Sequence, residues 1–212
     1  MDKSSHTPLD AIQSGVRRVI RQIARFLNWI SGGRLSPTMV TIVGLLAHLP
    51  IAYLIATRHN YLGAILLIIF GLFDTLDGEL ARLQKSESTK GMLLDSVTDR
   101  FKEVIIYTAV GYNLISIGQK YMAVWAILAC GASLCVSYVR AKGESAYISE
   151  GNSPKLVNKL FKDGIMRFEI RMLVIVIGLL TNYLGAAVVI IAIMASYTAL
   201  SRLINVNHKL DV

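Results

Sequence analysis

Six apolar stretches, each near the roughly 20 residues needed to cross a hydrocarbon layer, constrain this chain more than any other feature. They read as Pro37–Ala56, Tyr61–Arg82, Gly91–Ile115, Tyr121–Ala141, Ile165–Thr181 and Tyr183–Leu203. Polar or turn-forming residues separate them, among them Arg58-His59-Asn60, Gly118-Gln119-Lys120 and Thr181-Asn182. Only 17% of the 212 residues are charged, well below the proportion usual in soluble domains. Two cysteines exclude a disulfide-stapled scaffold. The expected fold is all-α and integral to a membrane, with six transmembrane helices preceded by one interfacial helix.

That interfacial helix falls in residues 1–35, and the six-helix domain in residues 36–212. The first 35 residues hold no apolar run long enough to span and no signal-peptide core. Ile12, Val16, Val19, Ile20, Ile23, Phe26, Leu27 and Ile30 recur at helical spacing, while Arg17, Arg18, Arg21 and Arg25 fill the rest of the wheel. A basic amphipathic helix of this kind lies in the headgroup region; the alternative is a helix packed against a partner. With the N-terminus on one side, the opposite loops hold only Arg58 and Lys120 of the 22 basic residues. The positive-inside rule makes the N-terminal side cytoplasmic, so a multi-pass protein of the cell membrane with both termini and its active site inside is expected.

Four aspartates interrupt the second and third apolar stretches: Asp74, Asp77, Asp95 and Asp99. An ionisable residue within a span is costly and points to function. The spacings of three and four place each pair on one helix face. Asp77 and Asp95 lie at similar depth, roughly 6–8 Å from the cytoplasmic ends, and Asp74 and Asp99 one turn deeper. Four such carboxylates cannot all ionise without a counter-charge, and an all-oxygen cluster suits Mg²⁺ or Mn²⁺. The competing structural explanation is carboxylate–arginine pairing with Arg82 and Arg100. Gly78, Ala81 and Gly91 allow close approach of a ligand to the backbone, and Arg82 offers a fork for phosphate oxygens. A metal–diphosphate site at a membrane surface implies a diphosphate carried by a lipid.

The run Asp74-Thr75-Leu76-Asp77-Gly78-Glu79-Leu80-Ala81-Arg82, then eight residues, Gly91, three residues, Asp95, three residues and Asp99 resembles the signature of the CDP-alcohol phosphotransferases at every fixed position. Eight such positions coincide by chance on the order of 10⁻¹⁰ per start site. The resemblance implies transfer of a substituted phosphoryl group from a CDP-alcohol to a hydroxyl, with release of CMP. It implies that Asp74, Asp77 and Asp95 hold divalent metal, and that Asp99 is both general base and further ligand. It places Gly78, Ala81, Arg82 and Gly91 at motif positions around the cytidine diphosphate and Ser88 at a nucleotide-contacting hydroxyl. Ser36-Pro37-Thr38-Met39-Val40-Thr41 is similar to a family segment approaching the nucleotide, which brings in Thr38 and Thr41; relatives often carry Asn or Asp at position 38. A CDP-linked lipid is therefore the expected partner, within a homodimer, among membrane lipids and without nucleic acid.

The acceptor is read from the basic residues at the cytoplasmic ends of the last three spans. Arg140, Lys142, Arg167, Arg171 and Arg202 would together suit an acceptor bearing its own phosphate; singly, each is also explained as a snorkelling or positive-inside residue. The segment Ser137 to Glu144 is similar to the branch that uses inositol 1-phosphate, with either CDP-diacylglycerol or CDP-archaeol as donor. Glycerol phosphate is the alternative acceptor, and serine is disfavoured because it offers no phosphate. From other functional classes, a cation transporter would need polar residues at successive depths, and a non-catalytic scaffold would not need an intact motif. His48 reads as a packed polar residue, Cys130 and Cys135 as core, and Lys155, Lys159 and Lys162 as a solvated loop face.

Overall fold

A computed structural model describes residues 8–151 and 165–210, with all side chains among them except those at positions 8–14, 16, 17, 73, 74, 209 and 210. His6, Lys155, Lys159 and Lys162 lie outside the described residues. The helices are α1 (Pro8–Ile30), α2 (Pro37–Ala56), α3 (Asn60–Gly71), α4 (Phe73–Leu83), α5 (Thr89–Ser116), α6 (Lys120–Ser149), α7 (Phe168–Thr181) and α8 (Leu184–Leu210). No strand occurs among the described residues.

Among the described residues four segments are long and apolar enough to cross a membrane: Pro37–Ala56, Asn60–Leu83, Lys120–Ser149 and Leu184–His208. The expectation of six is therefore met at four. Helix α5 is long enough at 28 residues, but Asp95, Asp99, Arg100, Lys102 and Glu103 crowd the part of it nearer its start. Helix α7 has only 14 residues, or roughly 21 Å at 1.5 Å per residue, short of the hydrocarbon thickness. The second expected span is also interrupted. Its helix breaks at Leu72, whose amide hydrogen bonds to both Ile68 O (3.3 Å) and Ile69 O (3.2 Å), next to the poor helix-former Gly71. A new helix thus begins at Phe73, and Asp74 lies in its first turn.

The chain forms two compact units, one of Met1–Pro50 and Leu66–Lys102, the other of Ile51–Ile65 and Glu103–Val212. In the first, Ile20 and Ala24 of α1 pack with Val40 of α2 and with Leu76 and Leu80 of α4, flanked by Leu27 and Leu35. Gln84 closes the end of this layer, donating to Asn28 Oδ1 (2.9 Å) and Leu35 O (2.8 Å). Val19, Ile23, Phe26, Trp29 and Ile30 of α1 remain exposed. The helix therefore has one apolar strip against its neighbours and a second facing outward, so it is both packed and exposed.

In the second unit α6 and α8 make the broadest helix pair. Ala123, Ala126, Ala129, Ala132 and Ser133 of α6 are buried, as are Ala187, Ala192, Ala195 and Ala199 of α8. Small side chains let backbones approach, and dispersion then replaces the hydrophobic drive that lipid cannot supply. Helices α7 and α8 meet most tightly at Gly178, where an added Cβ would lie 2.7 Å from Ala187 Cβ. Asn113 ties this unit together, donating to Ile55 O (2.6 Å) and Asn60 Oδ1 (2.9 Å), while Asn60 donates to Asn182 Oδ1 (2.8 Å). The α5–α6 turn ends in Gly118 at φ 81°, with Gln119 N bonded to Leu114 O, a helix stop that a glycine allows without strain.

Because Ala187 Cβ is anchored directly to backbone, Gly178→Ala forces the α7–α8 pair apart and destabilises by about 1–3 kcal/mol. Gly131→Ala, in open space within α6, is neutral or stabilising by up to about 1 kcal/mol. Thermal unfolding of the two variants in the same detergent checks the contrast.

Candidate metal and nucleotide site

All four motif aspartates belong to the first unit, with Asp74 and Asp77 on α4 and Asp95 and Asp99 on α5. Asp77 is buried, and its Oδ2 accepts a short 2.6 Å hydrogen bond from Thr41 Oγ1. The Thr41 hydroxyl also lies 3.1 Å from Pro37 O, one turn back along α2, so the Ser-Pro segment that opens α2 positions the hydroxyl for Asp77. Asp95 is half-buried, and its Oδ1 is a buried acceptor with no hydrogen-bond partner. Asp99 Oδ1 pairs with Lys102 Nζ at 3.2 Å, and its Oδ2 lies 3.8 Å from Arg100 Nη2. Asp77 and Asp99 both act electrostatically on Asp95, so the three described carboxylates share one field. The Asp74 side chain is not among those described.

No group of three or more His, Cys, Asp or Glu side chains among the described residues converges closely enough to hold a metal as it stands. The donor chemistry nevertheless fits a hard divalent ion. The acids are all oxygen donors, and the orphaned Asp95 Oδ1 is a buried acceptor of the kind that a cation satisfies. Asp74, Asp77, Asp95 and Asp99 are the residues that could hold it.

Gly78 beside Asp77 is exposed, with nothing within 4 Å of where a Cβ would stand; that side of α4 is open to a ligand. Ala81 is half-buried on the same helix. Arg82 is held by glutamates rather than by the motif aspartates, with Nη1 2.9 Å from Glu79 Oε1 and Nε 3.5 Å from Glu87 Oε1. The buried Glu79 also takes Arg21 of α1 at 3.1 Å through its second oxygen. Ser88 Oγ accepts from Gly91 N at 3.1 Å and so caps the start of α5; a Cβ at position 91 would meet that hydroxyl at 3.2 Å. Thr38 is exposed in the first turn of α2.

The basic residues read as an acceptor site belong to the second unit. Arg140, Arg167 and Arg171 all lie within electrostatic reach of the buried Arg202, so four of the five come together. They differ in their engagement. Arg171 is 1% exposed, with Nη2 2.7 Å from Glu103 Oε1 and Nη1 donating to Met166 O at 2.6 Å. Arg202 Nη1 donates to Val136 O at 3.3 Å. Arg140 pairs with Glu144 at 2.8 Å, Arg167 is exposed, and Lys142 lies 6.0 Å over the Tyr138 ring.

Sequence reasoning missed Glu79, Lys102 and Glu103. The i,i+3 spacing of Lys102 from Asp99 and of Glu79 from Arg82 was a usable signal. Glu103 and Arg171 are 68 positions apart, and no local pattern links them. His48 is buried and donates from Nδ1 to Gly44 O at 2.7 Å, as a packed polar residue does. Cys130 and Cys135 are free thiols, half-buried and exposed respectively.

Apolar helices carrying an intact acid motif on two successive segments define a membrane-bound class of proteins. The chain belongs to the CDP-alcohol phosphatidyltransferase family, which it matches over residues 34–200. That family is one of transferases of phosphate-containing groups, and the transporter reading has no support. The chain is 33% identical over 142 residues to a phosphatidylinositol phosphate synthase of Cutibacterium acnes, covering 65% of this chain and 66% of that one, just under two thirds. It is 30% identical over 198 residues to an archaetidylinositol phosphate synthase of Methanothermobacter thermautotrophicus, covering 89% and 92%. The fold matches the crystal structure of Mycobacterium tuberculosis phosphatidylinositol phosphate synthase with CDP-DAG bound, at a TM-score of 0.75 and 23% identity over 89% of this chain and 94% of that one. The same mycobacterial enzyme has been crystallised with manganese and citrate, and divalent metals serve this family.

Glu79 is the only acid that joins Arg21 of α1 to Arg82 of α4 among the described ion pairs. Glu79→Ala is expected to cost about 1–3 kcal/mol, the partners being half-exposed and partly screened. Tryptic cleavage at Arg21 and Arg25, followed by mass spectrometry, should accelerate in this variant and not in Glu87→Ala.

Proposed function

We propose that this protein transfers a substituted phosphoryl group from a CDP-linked lipid to the hydroxyl of a small phosphorylated alcohol, inositol 1-phosphate, and releases CMP. The observation that carries the reading is the complete eight-position motif on α4 and α5, within a chain of the matching family. The names of the bacterial and archaeal relatives support the inositol phosphate acceptor, and the CDP-DAG in the mycobacterial structure supports the donor class.

In this reading Asp74, Asp77, Asp95 and Asp99 hold Mg²⁺ or Mn²⁺, which when bound neutralises the diphosphate and stabilises CMP as a leaving group. Thr41 orients Asp77 through its 2.6 Å hydrogen bond. Thr38, Gly78, Ala81, Ser88 and Gly91 line the nucleotide, and Arg82, held by Glu79, presents its remaining donors to phosphate oxygens. Asp99 accepts the proton of the acceptor hydroxyl as that oxygen bonds to the lipid-bearing phosphorus; the bond from that phosphorus to the CMP oxygen breaks, and CMP departs. Arg140, Lys142, Arg167, Arg171 and Arg202 receive the acceptor's phosphate. The two most buried, Arg171 and Arg202, set the floor of that subsite, and Arg167 is its solvent-facing member.

The proposal includes six crossings, with α5 and the longer stretch Ile165–Thr181 that contains α7 completing the four apolar ones, and an interfacial role for residues 1–35 ahead of a catalytic domain at 36–212. The exposed Phe26, Trp29 and Ile30 support burial of the outer strip of α1 in headgroups. The basic asymmetry supports a cell-membrane protein with both termini inside, working as the homodimer that the family resemblance implies.

The test is CMP release by the purified protein with CDP-diacylglycerol or CDP-archaeol and Mg²⁺ or Mn²⁺, offering inositol 1-phosphate and glycerol phosphate separately. Release is expected with inositol 1-phosphate and is lost by at least about 10³-fold in Asp99→Asn, in line with removal of a general base and ligand together. Release with glycerol phosphate alone would reassign the acceptor. In the same assay Arg167→Ala should raise the acceptor KM about tenfold, the loss of one charge-assisted contact, and leave the KM for the CDP-lipid unchanged.

A further inference from the structure

Lys102 is fully buried, and its ammonium lies 3.2 Å from Asp99 Oδ1. Its charge acts on Asp77, on Asp95 and on the buried His48, so a single positive group reaches the three described motif carboxylates. It is not one of the eight motif positions. A buried ammonium is costly unless paired, and a cluster of acids is equally costly without a cation. Each therefore satisfies the other in this arrangement, while Asp95 Oδ1 keeps no partner. The same carboxylate that pairs with Lys102 is a member of the set that could hold a divalent ion, and the described members of that set do not converge as they stand.

We propose that Lys102 is a tethered counter-cation of the aspartate cluster, holding Asp99 while no divalent ion is bound and competing with that ion for it. This rests on the reading that the aspartates hold the metal. Two cations cannot share one carboxylate face without mutual repulsion, so entry of the ion requires Asp99 to be loosened from Lys102. The lysine keeps the apo cluster from repelling itself apart, at the expense of weaker metal affinity. Lys102 is thus a positioning residue, acting on the site through Asp99.

The test uses the full chain in detergent micelles, with Mn²⁺ as the probe. Free Mn²⁺ is followed by electron paramagnetic resonance, and Tm is measured in EDTA and in saturating Mn²⁺ for wild type, Lys102→Met, Lys102→Gln and Asp95→Asn. Removing one positive charge beside the site should tighten Mn²⁺ binding about tenfold in Lys102→Met. Its Tm should fall by about 4 °C or more in EDTA and return to the wild-type value in Mn²⁺. A variant that survives purification only in Mn²⁺ is the same result in its extreme form. An equal fall of Tm in both conditions, unchanged or weaker Mn²⁺ binding, or failure of both lysine variants to fold even with Mn²⁺ would overturn the proposal and leave Lys102 a structural ion-pair partner. If Asp95→Asn weakens Mn²⁺ binding and the lysine variants do not tighten it, only the role of Lys102 fails. If Asp95→Asn leaves binding unchanged, the aspartate metal site fails, and the competition at it fails too.

Discussion

A charge placed among apolar helices costs several kcal/mol unless an opposite charge meets it, and the pairs that resolve this cost organise the molecule. In the first unit Asp99 meets Lys102, and Glu79 meets Arg21 and Arg82. In the second, the fully buried Glu103 meets the fully buried Arg171. Lys102 and Glu103 are adjacent on α5, yet they serve different units and have partners of opposite sign. The start of α5 is thus a charged stretch embedded in an otherwise apolar chain. This explains why that helix is too polar in its first turns to match the other spans although its length suffices.

The break at Leu72 has a second consequence for the site. The shared amide of Leu72 and the restart at Phe73 set the turn that carries the first aspartate of the motif apart from α3. Thr41 of α2 supplies a donor to the second. Asp77 on α4 therefore meets a hydrogen-bond donor, and Asp99 on α5 meets cations. This contrast fits a site in which one wall is preformed and the other is held ready by an internal charge.

Close packing of small residues holds the second unit around its basic cluster. The alanines of α6 and α8 and the contact at Gly178 bring backbones together, which lets Arg202 of α8 reach the Val136 carbonyl of α6. Arg171, by contrast, is already engaged with Glu103 and the Met166 carbonyl. The two guanidiniums were alike on the sequence, as bases near a helix end. Tertiary packing gives Arg171 a carboxylate partner and Arg202 a carbonyl one.

Much of the site was legible in the residues because its determinants are local. Apolar runs of span length, aspartates at spacings of three and four, and the glycines beside them all express helix periodicity. The helical class, the motif and the membrane setting therefore followed from sequence alone. Tertiary structure decided which distant groups meet: Arg21 with Glu79, Arg171 with Glu103, Thr41 with Asp77. It also decided the break at Leu72 and the two apolar strips of α1. The physical reason is that hydrophobicity and spacing are properties of neighbouring residues. The partner of a buried charge is whichever group the packed helices bring within about 3 Å, whatever its distance along the chain.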